Sequence, residues 1–219
     1  MENILVLGMG KVGSLVGLLL SKNFKVKAVD QKLPHYDYDF PFECIQADVT
    51  DLKWMKKEMA KHHAVVSALP YFLNKNIAQL AHDLGIHYFD LTEDVPTTKF
   101  IQGLQKTAKK ILAPQCGLAP GFIGIVGRDL CDSFDRLRDI ELRVGALPRF
   151  PNGQLAYSFT WSPYGVINEY LNDAEAIHNG KRKLVPSLQG FEHINIEGQE
   201  FEAFTTSGGL GTLCDTFEG

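Results

Sequence analysis

The sequence predicts an α/β fold, an N-terminal doubly wound parallel sheet followed by an α+β domain with a mostly antiparallel sheet. Three observations carry this. As far as Pro114, short apolar runs alternate with helical patterns, the order of strand–helix–strand units whose parallel sheet is covered on both faces. A glycine-rich turn, Gly8-Met9-Gly10-Lys11-Val12-Gly13, joins the first run to the first helical pattern. Beyond Pro114 the runs become strand-like and are separated by turn signals.

The elements follow in order. Asn3–Leu7 is an apolar run bounded by glycine and reads as a strand, and Gly13–Leu20 has helical character. Lys25–Val29 alternates with period two and ends in Asp30, and Cys44–Ala47 is a further short strand. Leu52–Lys61 is helical, with Leu52, Met55 and Met59 on one face. Ala64–Leu69 is a buried strand. Asn74–Leu84 sets Ile77, Leu80, Ala81 and Leu84 at helical spacing. Tyr88–Leu91 is a strand, Thr97–Lys109 a helix and Lys110–Ala113 a strand.

A domain boundary is expected near residue 118, dividing the chain into 1–117 and 118–219. In the second part Gln115–Gly121 is loop-like and Phe122–Cys131 helical. Strands are expected at Ile140–Val144, Leu155–Trp161, Ala174–His178, His193–Ile196 and Glu200–Phe204. The turn signals are Pro151-Asn152-Gly153, Asn179-Gly180 and Glu197-Gly198. Ser162-Pro163 begins a helix through Tyr170, with proline at its first position. Lys181-Arg182-Lys183 reads as a solvated turn.

Of the 219 residues, 45% are hydrophobic and 22% charged, which is globular usage and excludes a disordered chain. The formal charge of −4 gives no net pull towards nucleic acid or anionic lipid. No apolar run approaches the ~20 residues of a membrane helix, and no basic segment precedes an apolar core at the N-terminus. Cys44, Cys116, Cys131 and Cys214 fit neither a zinc spacing nor CxxC, and scattered cysteines suit a reducing compartment. A cytoplasmic protein is expected, with no membrane or nucleic-acid partner. No HExxH or facial triad occurs, so no metal is expected. His62-His63 reads as an exposed helix end, and Cys116 as a buried, inert thiol rather than a nucleophile. The chain stops just after a glycine-rich segment with no terminal helix, which suggests C-terminal truncation.

The glycine-rich turn carries the chemistry. In GxGxxG the first glycine, Gly8, makes the tight turn. Gly10 lets the backbone approach a pyrophosphate, and Gly13 lets helix and strand pack closely. Unpaired N–H groups at the helix start, around Lys11 and Val12, face the phosphates with the helix dipole behind them. Asp30 ends the next strand, where a carboxylate accepts both ribose hydroxyls and repels a 2′-phosphate. That favours NAD over NADP in a Rossmann domain. Asp48, beside Val49, either reaches the adenine edge or is a turn residue before a helix capped by Thr50 or Asp51. Ala68-Leu69-Pro70 ends the fourth strand at the ligand crevice and suits a loop over a nicotinamide ribose. Tyr71 and Lys75 form YxxxK, but after the fourth strand rather than the fifth, which argues against the short-chain dehydrogenase role. Tyr71 still lines the pocket by position.

GMGKVG, VVSALPYF, HYFDLTED, CGLAPGF, FTWSPYGVINEY, AIHNGK and EAFTTSGGLGTL stand in this order in the chain. In that order the sequence resembles the saccharopine dehydrogenase-like family, and within it the lysine 6-dehydrogenase branch, from Asn3 to about Leu213. The resemblance implies NAD(P)-dependent oxidation of a C–N bond in lysine or a lysine-derived amine, followed by imine hydrolysis. The glutamate-forming saccharopine dehydrogenases are the alternative branch. A non-catalytic NAD-sensing protein is a second alternative.

Such chemistry needs a group that removes a proton from an alkylammonium of pKa about 10.4 and returns it. Asp90 and Glu93 follow the fifth strand and are candidates, unless they serve only the start of the Thr97 helix. Tyr71 is the alternative acid–base group. Tyr71, Trp161, Ser162, Thr205, Thr206 and Ser207 are expected to contact an amino-acid substrate; Arg143 and Arg149 either pair with its carboxylate or are surface arginines. Apolar residues alternating in the second sheet suggest a homodimer.

Overall fold

The computed structural model describes residues 2–33, 39–145, 147–150 and 161–217. The chain divides into two compact units, Met1–Cys116 and Gly117–Gly219.

In the first unit, strands β1 (Asn3–Leu7), β2 (Lys25–Asp30), β3 (Glu43–Gln46), β4 (Ala64–Ser67), β5 (His87–Asp90) and β6 (Leu112–Ala113) form one sheet. Its order is β3-β2-β1-β4-β5-β6, and every pairing is parallel. The winding direction reverses between β1 and β4, so the crevice at their C-terminal ends is the place where doubly wound sheets bind ligands. The helices are α1 (Lys11–Leu20), α2 (Leu52–Met59), α3 (Tyr71–Leu84) and α4 (Val95–Gln105).

Strand alternation decides which helix covers which face. Leu5, Leu7, Val29, Val65 and Tyr88 share a core with Met55 and Met59 of α2, Ile77, Ala78 and Ala81 of α3, and Ile101 of α4. Each such buried aliphatic side chain is worth roughly 1.5–3 kcal/mol. Val6, Met9 and Ala28 point the other way, against Leu20 and Phe42. A Cβ at Gly17 would lie 2.7 Å from the Phe42 ring, so α1 lies on Phe42 only because that position is glycine. On this second face Ile4, Val66 and Phe89 border an apolar groove beside Val16 and Leu20 of α1.

Helix limits follow local chemistry. Asp51 caps α2 by accepting from the N–H groups of Lys53 and Trp54. Asp94 caps α4, with Pro96 in the first turn. Gly85, at φ 66°, ends α3 in the left-handed region. Two expectations are corrected here. α3 starts at Tyr71 rather than Asn74, because the extended Pro70 is itself the cap residue and the helix follows at once. His62 is buried rather than exposed, its Nδ1 2.9 Å from the Glu58 carbonyl oxygen, while His63 remains at the surface.

The second unit contains α5 (Phe122–Cys131), α6 (Pro163–Leu171), β7 (Ala174–His178), β8 (Lys181–Val185), β9 (Glu192–Ile196), β10 (Gln199–Ala203) and α7 (Leu213–Phe217). Among the described residues its antiparallel pairing is two hairpins, β7–β8 and β9–β10. Their turns, Asn179-Gly180 and Glu197-Gly198, have positive φ at both residues, the geometry that matches strand twist in a two-residue hairpin.

Three readings change. Lys181-Arg182-Lys183 is the start of β8, not a solvated turn. Arg182 faces Glu175 and Asp215 and forms ion pairs with both. Ile140–Val144 forms no strand; Leu142 instead packs against α5, its Cδ2 3.1 Å from where a Cβ on Gly127 would lie. A short terminal helix, α7, is present where none was expected. Apart from Trp161, which lies in a bend, the expected strand Leu155–Trp161 falls outside the described residues, as does the turn Pro151-Asn152-Gly153.

Candidate active site

The turn after β1 is built by contacts that admit only glycine at two places. Gly8 has φ 89°, and a Cβ on it would lie 2.8 Å from the Ala68 carbonyl oxygen. A Cβ on Gly13 would lie 1.8 Å from the Gly8 carbonyl oxygen. Gly10 is different: no described residue lies within 4 Å of its absent Cβ. Gly10 is also the N-cap of α1, and no side chain caps that helix. The first-turn residues Lys11 and Val12 are exposed, and their N–H groups are left without a side-chain cap, a cradle for a phosphate.

Asp30 closes the other side of this turn. Its Oδ2 accepts from the Met9 N–H at 2.6 Å and its Oδ1 from the Lys32 N–H at 2.9 Å. Each oxygen keeps a further lone pair for a ribose hydroxyl. The residues thus fit a dinucleotide: open N–H donors for its phosphates, glycine where the backbone must come close, and a fixed carboxylate for a sugar. Ala68 of the β4 turn packs directly on Gly8, so Ala68-Leu69-Pro70 borders the same cradle. Asp48 and Val49 stand differently. The Asp48 carboxylate accepts from the Thr50 N–H and hydroxyl, bonds that hold its pKa below the usual value, and Val49 is buried in the core.

A buried polar network continues along the same sheet edge. Ser67 at the end of β4 donates to the Asn74 Oδ1 of α3 at 2.7 Å. Tyr88 donates its hydroxyl to Asp90 Oδ2 at 2.8 Å. Asp90 Oδ1 accepts from the N–H groups of Thr92 (2.9 Å) and Gln115 (3.2 Å). Asp90 is fully buried, and burial raises its pKa despite those bonds. Burial and the Asp90 charge push the Tyr88 phenol well up, so it stays a neutral donor. Glu93 and Asp94 follow, both buried. Tyr71 is half-buried at the head of α3, edge-on to Phe72 with ring centroids 5.6 Å apart. Cys116 is exposed rather than buried, because Gln115 takes φ 63° and turns the chain out of the sheet. Its thiol is pushed up by desolvation and by Asp90.

Ser67, Asn74 and Tyr88 were not among the expected site residues. Their signal was present: a serine inside the apolar run AVVSAL, and an asparagine on the apolar face of a helix.

Residues 4–115 match the family model described as saccharopine dehydrogenase NADP binding domain, and residues 117–213 that of the saccharopine dehydrogenase C-terminal domain. The chain belongs to the saccharopine dehydrogenase family. Among its relatives are the α-aminoadipic semialdehyde synthase of Arabidopsis thaliana and the NADP(+), L-glutamate-forming saccharopine dehydrogenase of Saccharomyces cerevisiae. The first is 23% identical over 74% of this chain and 16% of its own length. The second is 27% identical over 66% of this chain and 34% of its own length. The chain thus spans about a third or less of these curated relatives. The solved apo structure of the yeast L-Glu-forming enzyme has the same fold, with a TM-score of 0.69 at 20% identity. It covers 99% of this chain, which spans 52% of that structure.

In the part matching the family's C-terminal domain, the expected substrate contacts are held as follows. Ser162 is the N-cap of α6, its Oγ accepting from the Gly165 N–H. The backbone of Thr205 bonds Leu188 and Gln189, Thr206 is half-buried, and the buried Ser207 donates its N–H to the Glu169 carbonyl oxygen. Ser162 and Ser207 therefore lie at opposite ends of α6, roughly 10 Å apart along its axis. Trp161 is half-buried. Arg143 is engaged by Glu192 through two nitrogens and by Glu141 through one, which raises its pKa. Arg149 stacks on Phe150. Arg143 is thus held by carboxylates of the protein itself, whereas the ring contact of Arg149 occupies the face of its guanidinium and, among the described residues, leaves the N–H edge free.

Among the described residues, no helix is long and apolar enough to cross a membrane.

Proposed function

We propose that the protein is an NAD(P)-dependent oxidoreductase acting on the C–N bond of a lysine-derived amine, of the saccharopine dehydrogenase type. The observation that carries this reading is the phosphate cradle of Gly8–Gly13 with Asp30 beside it, in a chain of this family. When bound, the nicotinamide supplies the hydride acceptor. The protein's own residues hold the rest: α1's open N–H groups bind the phosphates, Asp30 orients a ribose, and the edge from Ala68 to Asp90 borders the reacting end. The relatives named above favour saccharopine as substrate.

Free lysine is the second reading, favoured by two observations. Asp30 suits NAD, whereas the family's nucleotide domain and the yeast relative carry NADP in their names. Arg143 is also paired within the protein, so it is not free for a glutamate half. An NADH- or NADPH-formation assay with L-lysine and with saccharopine, each with NAD and NADP, separates these readings. Turnover of saccharopine alone supports the first, turnover of lysine supports the second, and nucleotide binding without turnover of either overturns both.

The cofactor choice has its own test. Asp30→Asn keeps an acceptor for the Met9 N–H but removes the charge. The KM for NAD should rise roughly tenfold, the cost of weakening a charge-assisted bond, while the KM for NADP falls as repulsion of the 2′-phosphate is relieved. Steady-state kinetics with both nucleotides reads this directly.

A further inference from the structure

We propose that Glu93 is the group that exchanges a proton with the substrate's amine nitrogen, and that Asp90 is its positioning residue. The proposal rests on the oxidoreductase reading above and narrows it to cationic amines.

Three carboxylates stand between the end of β5 and the start of α4, and their bonding differs. Asp90 is saturated by the Tyr88 hydroxyl and the N–H groups of Thr92 and Gln115. Asp94 Oδ2 accepts from both the N–H and the hydroxyl of Thr97 and caps α4. Glu93 is only 8% exposed, yet its Oε1 has no hydrogen-bond partner among the described residues. Burying a carboxylate oxygen without a donor is costly, and native proteins retain few such atoms.

The position points the same way. Glu93 follows β5 by three residues, at the strand ends where this sheet type binds ligands. The charged groups acting on it are Asp94 at the start of α4 and Asp90 at the end of β5, both of its own sign. An ammonium or secondary ammonium N–H supplies what Oε1 lacks, a donor with opposite charge. Burial raises the Glu93 pKa, its own backbone N–H opposes this in part, and the two carboxylates add to the rise, which narrows its gap to an alkylamine.

The proton step balances. The N–H bond of the ammonium breaks and an O–H bond forms on Glu93. Both charges are neutralised, and the nitrogen lone pair needed for C–N oxidation is freed. In the reverse direction the carboxyl returns the proton to nitrogen. Asp90 acts through the backbone: by holding Thr92 and Gln115 it fixes the turn that carries Glu93.

The test uses Glu93→Gln and Glu93→Asp in the whole protein. Glu93→Gln should bind NADH as the wild type does and lose about 100-fold or more in kcat with saccharopine or lysine. Glu93→Asp should recover part of that loss and shift the pH profile of kcat/KM. The melting temperature separates this role from a structural one. A carboxyl whose folded pKa is raised stabilises the fold below its unfolded pKa and loses that contribution as pH rises through the folded value. Glu93→Gln should therefore melt at the same temperature or higher near pH 8, the difference vanishing near pH 4.

A variant that melts lower at both pH values, or keeps kcat within about threefold, overturns the proposal. If the wild type turns over neither amine, the thermal shift given by each amine with NADH present decides. A shift seen in the wild type and lost in Glu93→Gln supports it. Equal shifts in both, or a shift in neither, overturn it.

Discussion

Gly13→Ala is expected to abolish nucleotide binding and to lower the melting temperature. The added Cβ would sit 1.8 Å from the Gly8 carbonyl oxygen, 2.9 Å from its carbon and 3.2 Å from Ala68 Cβ. The two nearest atoms are backbone, so no side-chain rotation relieves the clash, and the turn itself must open. Overpacking of this kind costs about 3 kcal/mol, or roughly 6–12 °C in a chain of this size. Gly10→Ala is the matched control. Its Cβ meets no described residue within 4 Å, so the fold should be untouched. The same Cβ fills the space through which a pyrophosphate approaches the backbone, and NADH affinity should fall by about tenfold or more. Equilibrium NADH titration and thermal melting of the two variants distinguish a packing glycine from a binding glycine. If Gly10→Ala binds normally, the cradle is not where the nucleotide sits.

Much of the nucleotide-binding unit was legible because its signals are local. Strands β1 and β2 fall where apolar runs, glycine and period predict them, as does helix α5 of the second unit, and the family resemblance agrees with the matched domains. What the sequence concealed depends on partners far along the chain. Lys181-Arg182-Lys183 looks solvated by composition. Only the ladder to β7, and Glu175 and Asp215 on one side, make it a strand, although Asn179-Gly180 between two runs was a hairpin signal. Ile140–Val144 alternates as a strand would, yet period alone cannot supply a pairing partner. Among the site residues, the same carboxylate type at positions 90, 93 and 94 gave no hint of which would be saturated. That is set by Tyr88, Thr97 and Gln115, which reach these side chains from a strand, a helix and a loop.

Asp90→Ala is expected to be the more damaging change at the opposite end of the site. It removes one buried acceptor group and strands three donors: the Tyr88 hydroxyl and the N–H groups of Thr92 and Gln115. Each buried donor left unpaired costs about 1–3 kcal/mol, so three of them set a loss of at least about 3 kcal/mol, to which a cavity term adds. Asp90→Asn should lose far less, because its carbonyl oxygen still accepts from both backbone groups. The pH dependence tests the assignment further. The folded pKa of Asp90 is raised by burial, so its stabilising contribution is present below its unfolded pKa and fades as pH rises through the folded one. The wild type should therefore exceed Asp90→Asn most near pH 4 and least at neutral pH, measured by denaturant midpoints at each pH. An equal margin at both would mean that Asp90 titrates normally and is not buried as the structure has it. Turnover should follow a different order from stability. Asp90→Asn preserves the turn that carries Glu93 and keeps most activity, whereas Asp90→Ala loosens that turn and loses activity even at temperatures where the protein stays folded.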